Sequence, residues 1–260
     1  MTYQNILSEI KDNILYVTIN REKKLNALNK ETLAELADVI AFATKTEEVR
    51  GVLLTGAGEK AFVAGADISE FSSYTTEQGE ALARNGQVTV FDAIENSAKP
   101  FVAAINGFAL GGGLELAMAC HIRVASETAK MGLPEVTLGL IPGYGGTQRL
   151  TRLVGKGRAI EMIATADMIS ADRAEKIGLV NHVVLASELI SKAEEILNKI
   201  KQRAPLAVAS AIQTVNAATS ENINGFEVEI QEFGNCFGTA DFKEGVSAFL
   251  DKRKPNFKGQ

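Results

Sequence analysis

Two carboxylates stand alone in apolar company. Glu115 is the sole charged residue among the twenty-one from Pro100 to Cys120, and Glu135 the sole one among the eighteen from Met131 to Gln148, in a chain that is 23% charged overall. Desolvation disfavours an ionised carboxyl and raises its pKa, so an acid in such a setting reaches solvent, meets a cation, or is kept for proton transfer. Taken singly, each fits a structural ion pair as well as a functional role. The glycines nearby shift the balance. In Gly111-Gly112-Gly113-Leu114-Glu115 the missing side chains let a ligand approach the backbone, and a helix starting there offers unpaired N–H groups to an oxyanion. The turn Ala64-Gly65-Ala66-Asp67 follows an apolar strand and could add a second backbone donor. That turn alone is a weak signal, since a strand-to-helix connection capped by Asp67 has the same composition. Two acids beside such donors suit general acid–base chemistry on a polarised carbonyl, with burial and repulsion keeping one carboxyl protonated.

Other chemistries find little support. His121 and His182 are the only histidines and show no ligand spacing, which speaks against a metal site or a Ser-His-Asp triad. Cys120 and Cys236 lie far apart in apolar stretches, so neither a disulfide framework nor a zinc site is expected, and a reducing cytoplasm fits. A net charge of −5 argues against binding nucleic acid through its phosphates. The N-terminus lacks the pattern of a signal peptide. No membrane span is expected either, because the longest apolar stretch, residues 100–120, carries Asn106, four glycines and Glu115.

The elements that must position these groups follow from periodicity. Ile6 to Ile10 and Ile14 to Ile19 alternate about Lys11-Asp12-Asn13, which predicts a hairpin. Leu33, Leu36, Ala37, Ile40 and Ala41 recur at helical spacing over residues 31–43, and Val52 to Leu54 is a buried strand ending at Gly56. A polar helix over 76–96 precedes a strand from Phe101 to Ile105, a helix from Gly112 to Cys120 and a strand from Ile122 to Ala125. Beyond Gly143 strands become scarce, with helices expected over 147–154, 158–164, 170–177, 187–203, 205–218, 222–237 and 242–250. At 260 residues and 46% hydrophobic content, with no Pro- or Ser-rich linker, one α/β domain with a helical C-terminal region is expected.

A family resemblance then becomes specific. The segments AAINGFALGGGLELAMA at 103–119, AFVAGADISEF at 61–71, PEVTLGLIPGYGGTQRL at 134–150 and FKEGVSAFLDKRKPNF at 242–257 resemble the crotonase family, and within it the enoyl-CoA hydratases. REKKLNAL at 21–28 resembles that family's CoA-adenine segment. The resemblance runs along essentially the whole chain. It implies a crotonase-like fold of ββα units, with residues 1–195 as the α/β core and 196–260 as a C-terminal helical region of the same functional unit. It implies an acyl-CoA substrate, no cofactor beyond the coenzyme A of that substrate, and a homotrimer or a homohexamer built as a dimer of trimers.

Residue by residue, the resemblance implies that the N–H groups of Ala66 and Gly112 form an oxyanion hole and that Glu115 and Glu135 are the catalytic base and acid. Gly143 matches a position near the catalytic water. Lys24, Leu25, Ala27, Ala64, Asp67 and Ile68 match positions along the CoA, as do Phe233 and Lys252, sometimes from an adjoining subunit. Lys23 and Lys24 fit solvated surface charges equally well. Many such hydratases carry Lys where this chain has Ser69, so one phosphate contact of the family is absent. The implied reaction is reversible hydration of a 2-enoyl-CoA. Isomerisation, thioester hydrolysis and decarboxylation remain alternatives on the same fold, as does a CoA- or RNA-binding scaffold. The presence of both acids favours hydration. The stretch from Ser72 to Arg84 is a candidate wall of the acyl pocket.

Overall fold

The computed structural model describes residues 3–220 and 222–260. The chain opens with the expected hairpin, β1 (Ile6–Lys11) paired antiparallel with β2 (Ile14–Ile19). Asp12 and Asn13 both take positive φ, which suits a two-residue turn between twisted strands. Helix α1 (Lys30–Lys45) starts at Asn29, whose side chain accepts the N–H of Thr32. It turns Leu33, Leu36, Val39, Ile40 and Ala43 inward.

The chain then repeats one pattern. β3 (Gly51–Gly56), β5 (Phe101–Ile105) and β7 (Ile122–Ser126) extend a six-stranded sheet in the order β1-β2-β3-β5-β7-β10, with β10 at His182–Val184. After each of β3, β5 and β7, a shorter strand crosses to a second, four-stranded sheet. These are β4 (Ala61–Val63), β6 (Phe108–Leu110) and β8 (Lys130–Gly132), joined by β9 (Ile169–Ser170) in the order β4-β6-β8-β9. A helix follows each pair, so the ββα units implied by the resemblance are present. Plain alternation of strand and helix describes the chain less well, because β6, β8, β9 and β10 carry no periodicity legible over two or three residues.

The helices after the first two units are α2 (Thr76–Gly86), running through a π turn at Gln87–Phe91 into α3 (Asp92–Glu95), and α4 (Gly112–Ala119). α5 (Gly146–Val154) packs on α4 and on α6 (Lys156–Thr165), and α7 (Ala171–Lys176) packs on β8 and β9. α8 (Leu189–Ile200) continues across residue 195 and lays Leu189, Ala193 and Leu197 on the large sheet against Ile14, Leu53, Val102 and Val124. The C-terminal layer is α9 (Pro205–Ala217), α10 (Gly225–Phe237) and α11 (Ala240–Leu250). The main core lies between the sheets and their helices and includes Val17, Leu54, Phe62, Phe91, Ile105 and Leu114.

Candidate active site

β4 and β6 are parallel neighbours, pairing Ala61 with Phe108 and Val63 with Ala109. Their C-terminal ends therefore open side by side, where ligands bind on open sheets of parallel strands. One exit is Ala64-Gly65-Ala66-Asp67 and the other Leu110-Gly111-Gly112. A Cβ on Gly111 would stand 3.8 Å from the Cα of Gly65, so the two loops touch. Among the described residues, no acceptor in the chain takes the backbone N–H of Ala66 or of Gly112. Two free donors thus emerge from adjacent loops, one of them at the start of an α-helix, an arrangement that stabilises negative charge on an oxygen.

Both loops are held by backbone constraints that a larger residue would break. Gly111 has φ of 51° and ψ of −126°, a conformation glycine adopts without strain. Gly113 lets α4 approach β4 closely, since a Cβ there would lie 2.0 Å from the carbonyl oxygen of Val63. The 64–67 loop is laced to the segment 21–28. Leu28 N–H donates to Gly65 O, Asp67 N–H to Leu28 O, and Ala64 N–H to Leu25 O, at 2.8, 2.8 and 3.0 Å. Arg21 adds an ion pair to Asp67 at 3.1 Å and donates to the carbonyl of Ala27. Asp67 does not cap the short helix that follows it; its carboxylate instead takes Arg21 and, at 2.7 Å, the hydroxyl of Ser69. These two partners, Ser69 first, hold its pKa below the usual carboxylate range.

Glu115 lies one turn into α4 and is 1% exposed. Its Oε1 accepts the N–H of Tyr144 at 2.8 Å and that of Gly146 at 2.7 Å. Glu135 follows β8, whose Gly132 carbonyl takes the N–H of Gly111 at 2.9 Å, and this pairing brings it beside the same loop. Glu135 Oε1 sits 2.9 Å from where a Cβ on Gly111 would be, and its buried Oε2 has no hydrogen-bond partner among the described residues. Burial raises the pKa of both carboxyls. For Glu115 the nearby charge of Glu135 adds to burial, while the Gly146 and Tyr144 amides and Arg149 oppose it, leaving it at about 7.

Sequence reasoning missed three contributors. Tyr144 supplies an amide to Glu115 and a buried ring, and Gly143 before it receives the Gln87 side chain on its carbonyl at 2.7 Å. Arg149 donates to the Tyr144 carbonyl at 2.8 Å while pairing with Asp92 and Glu95, both at 2.7 Å. Asn26 is fully buried, with φ of 58°; it donates to the carbonyls of Ala57 and Ala61 and accepts the N–H of Arg21. Its signal in the sequence is a polar residue framed by Leu25 and Ala27 within the segment REKKLNAL.

Of the remaining candidates, Lys24 and Leu25 are exposed, Ala27 half-buried, and Ala64 and Ile68 flank the Ala66 loop. Phe233 and Lys252 are exposed on the C-terminal layer. Phe233 lies on α10 in edge contact with Phe237, and Lys252 follows α11 with φ of 53°. No hydrogen bond or ring contact among the described residues joins them to the two acids. Among the described residues no group of three or more His, Cys, Asp or Glu side chains could hold a metal, and no helix is long and apolar enough to cross a membrane.

Known proteins resemble this chain over nearly its whole length. The chain is 50% identical over 255 residues to the short-chain-enoyl-CoA hydratase of Clostridium acetobutylicum, covering 98% of this chain and 97% of that one. It is 46% identical over 258 residues to the crotonyl-CoA hydratase of Syntrophomonas wolfei, covering 99% of each. The crystal structure of an enoyl-CoA hydratase from Bacillus anthracis superposes with a TM-score of 0.93 at 42% identity, over 99% of this chain and 100% of that one. The profile of the enoyl-CoA hydratase/isomerase family matches residues 9–260, and the chain belongs to that family.

Proposed function

We propose that this site adds water reversibly across the double bond of a 2-enoyl-CoA, with the thioester oxygen held by the amides of Ala66 and Gly112. The observation that carries this reading is that the loop holding the unpaired Gly112 amide, beside that of Ala66, has Glu135 Oε1 against Gly111 and Glu115 within reach of the Glu135 charge. Enoyl-CoA hydration is also the activity named for the Clostridium and Syntrophomonas relatives, and the chain is an enzyme of that kind.

Water forms a bond to the β-carbon as the π electrons move toward the carbonyl, placing negative charge on the thioester oxygen. Donors waiting there accelerate such a step, one donor contributing about 10²- to 10³-fold. Glu115 accepts the proton released by water, and Glu135 delivers a proton to the α-carbon, each transfer contributing on the order of 10²- to 10⁴-fold. The two amides on Glu115 Oε1 oppose the effect of burial and favour the ionised form that a base needs. Gly143 lies beside this water, next to Tyr144. The coenzyme A runs along Lys24, Leu25 and Ala27 and the Ala64 to Ile68 loop, a reading supported by the hydrogen bonds joining those segments. No cofactor beyond the coenzyme A of the substrate enters this chemistry.

A homotrimer or a dimer of trimers belongs to the same proposal. It is supported by the apolar side chains exposed on α10 and α11, including Phe226, Ile230, Phe233, Phe249 and Leu250. Phe233 and Lys252 would then approach coenzyme A within the assembly. A cytoplasmic setting completes the proposal, supported by two free cysteines. Mixing the purified protein with crotonyl-CoA and following loss of the conjugated thioester absorbance tests the activity. A steady absorbance at high enzyme concentration would remove the reading.

A further inference from the structure

The ring of Tyr144 fills the space directly beside the backbone that carries the unpaired Gly112 amide. Its Cδ2 and Cε2 lie 3.5 and 3.7 Å from where a Cβ on Gly112 would stand, which is ordinary van der Waals contact. On its far edge, Cε1 lies 2.4 Å from the corresponding point on Gly86, so any residue larger than glycine at the end of α2 would collide with it. One face stacks on Phe91, with centroids 4.7 Å apart and 14° between planes. The ring is thus clamped by the helix that runs from Gly86 through the π turn to Phe91, and the same turn fastens the preceding residue through Gln87 and the Gly143 carbonyl. Single π turns recur at functional sites because they displace side chains from regular helical positions. Here the turn presents Gln87 and Phe91 to one loop.

The backbone of Tyr144 holds Glu115, so the ring is fixed relative to that carboxyl. Burial and the neighbouring Glu115 push its phenol up to about 12, and the ring remains uncharged and apolar at working pH. We propose that Tyr144 is the floor of the acyl channel and restricts the enzyme to crotonyl-sized 2-enoyl groups, with Gly86 and Phe91 fixing the ring in place. This inference rests on the hydratase reading above. A tail longer than the crotonyl group meets an aromatic face that cannot retreat, since Gly86, Phe91 and Gly112 block it on three sides.

The test compares kcat/KM for crotonyl-CoA and 2-octenoyl-CoA in the wild type and in Tyr144→Phe, Tyr144→Leu and Tyr144→Ala. The wild type should favour crotonyl-CoA strongly. The octenoyl-to-crotonyl ratio should stay within about twofold in Tyr144→Phe and rise progressively through Leu to Ala, by on the order of tenfold or more, as expected when a pocket wall is withdrawn. Should Tyr144→Ala fail to fold, Tyr144→Leu carries the decision. A flat ratio across the series, or a wild type that hydrates both esters equally, overturns the floor assignment alone. Absence of turnover on every ester removes the hydratase reading and the floor with it.

Discussion

Glu115 takes the N–H of Tyr144 and that of Gly146 on the same oxygen, Oε1, and no donor among the described residues takes Oε2. An acid held by one oxygen and free at the other is positioned to accept a proton without moving. Replacement of Glu115 by Gln should lower turnover by about 10²- to 10⁴-fold while enoyl-CoA binding persists, because the Ala66 and Gly112 amides are untouched. Stopped-flow or steady-state assays beside a binding titration separate the two effects. Near-normal turnover would withdraw the role of Glu115.

Glu135 differs in having a buried oxygen with no hydrogen-bond partner among the described residues. Such an atom lowers stability unless it carries a proton or meets a ligand. Glu135→Gln should therefore cut turnover by a comparable about 10²- to 10⁴-fold yet leave the unfolding midpoint unchanged or slightly higher. A large loss of stability would mean that this carboxyl is a structural element after all.

The raised pKa of Glu115, about 7 against an ordinary 4.5, ties stability to pH. The folded state holds this proton more tightly than the unfolded one. Its contribution is therefore present below pH 4.5 and disappears as pH rises through about 7, a loss of roughly 3 kcal/mol at 1.36 kcal/mol per unit. Urea unfolding at pH 5 and pH 8 should show Glu115→Gln gaining on the wild type at the higher pH. For catalysis the sign reverses. Glu115 must be ionised to act as a base, so kcat/KM should rise with pH along a limb near 7.

Arg149 sits behind this carboxyl and favours its ionised form, while its guanidinium also holds the Tyr144 carbonyl. Arg149→Gln removes the charge, so the acidic limb of kcat/KM should move to higher pH. Arg149→Lys keeps the charge but cannot reproduce a fork spanning Tyr144, Asp92 and Glu95. Its limb should stay in place while kcat falls, on the order of tenfold for a misplaced reacting group. If both variants retain the wild-type pH profile and rate, Arg149 serves only its ion pairs.

What was legible in the sequence followed from prohibitions. A lone charge in twenty apolar residues is a conflict that burial does not tolerate without a reason, and three consecutive glycines before a helix mark a close backbone approach. Those grounds single out Glu115, Glu135 and the Gly111–Gly113 turn, whereas the choice of Gly112 and Ala66 as the two donors comes from the family resemblance. The second sheet escaped periodicity because β6 and β8 are three residues long and β9 only two. The π turn at Gln87–Phe91 escaped because its composition continues the pattern of a polar helix. Tyr144 and Arg149 act through contacts with α2, α3 and α4, distant in sequence, and no local pattern encodes such contacts.

Asn26 offers the sharpest separation of stability from positioning. Its side chain satisfies the carbonyls of Ala57 and Ala61 and the amide of Arg21, all beside the strand of residues that laces the Ala66 loop. Asn26→Ala leaves the Ala57 carbonyl and the Arg21 amide without this partner, while Ala61 keeps the Asn106 side chain at 3.2 Å, and it puts alanine at φ of 58°; together these should destabilise the fold by about 2–4 kcal/mol. Because Leu25 and Leu28 hold Ala64 and Gly65, the Ala66 amide should also lose its aim. Its misalignment should reduce kcat by about tenfold, less than the 10²- to 10³-fold expected from outright loss of a donor. Measured well below its melting temperature at saturating crotonyl-CoA, the variant should show that reduction with its secondary structure intact. A kcat equal to the wild type's in a destabilised but folded variant would mean that the loop aims Ala66 without help from residues 21–28.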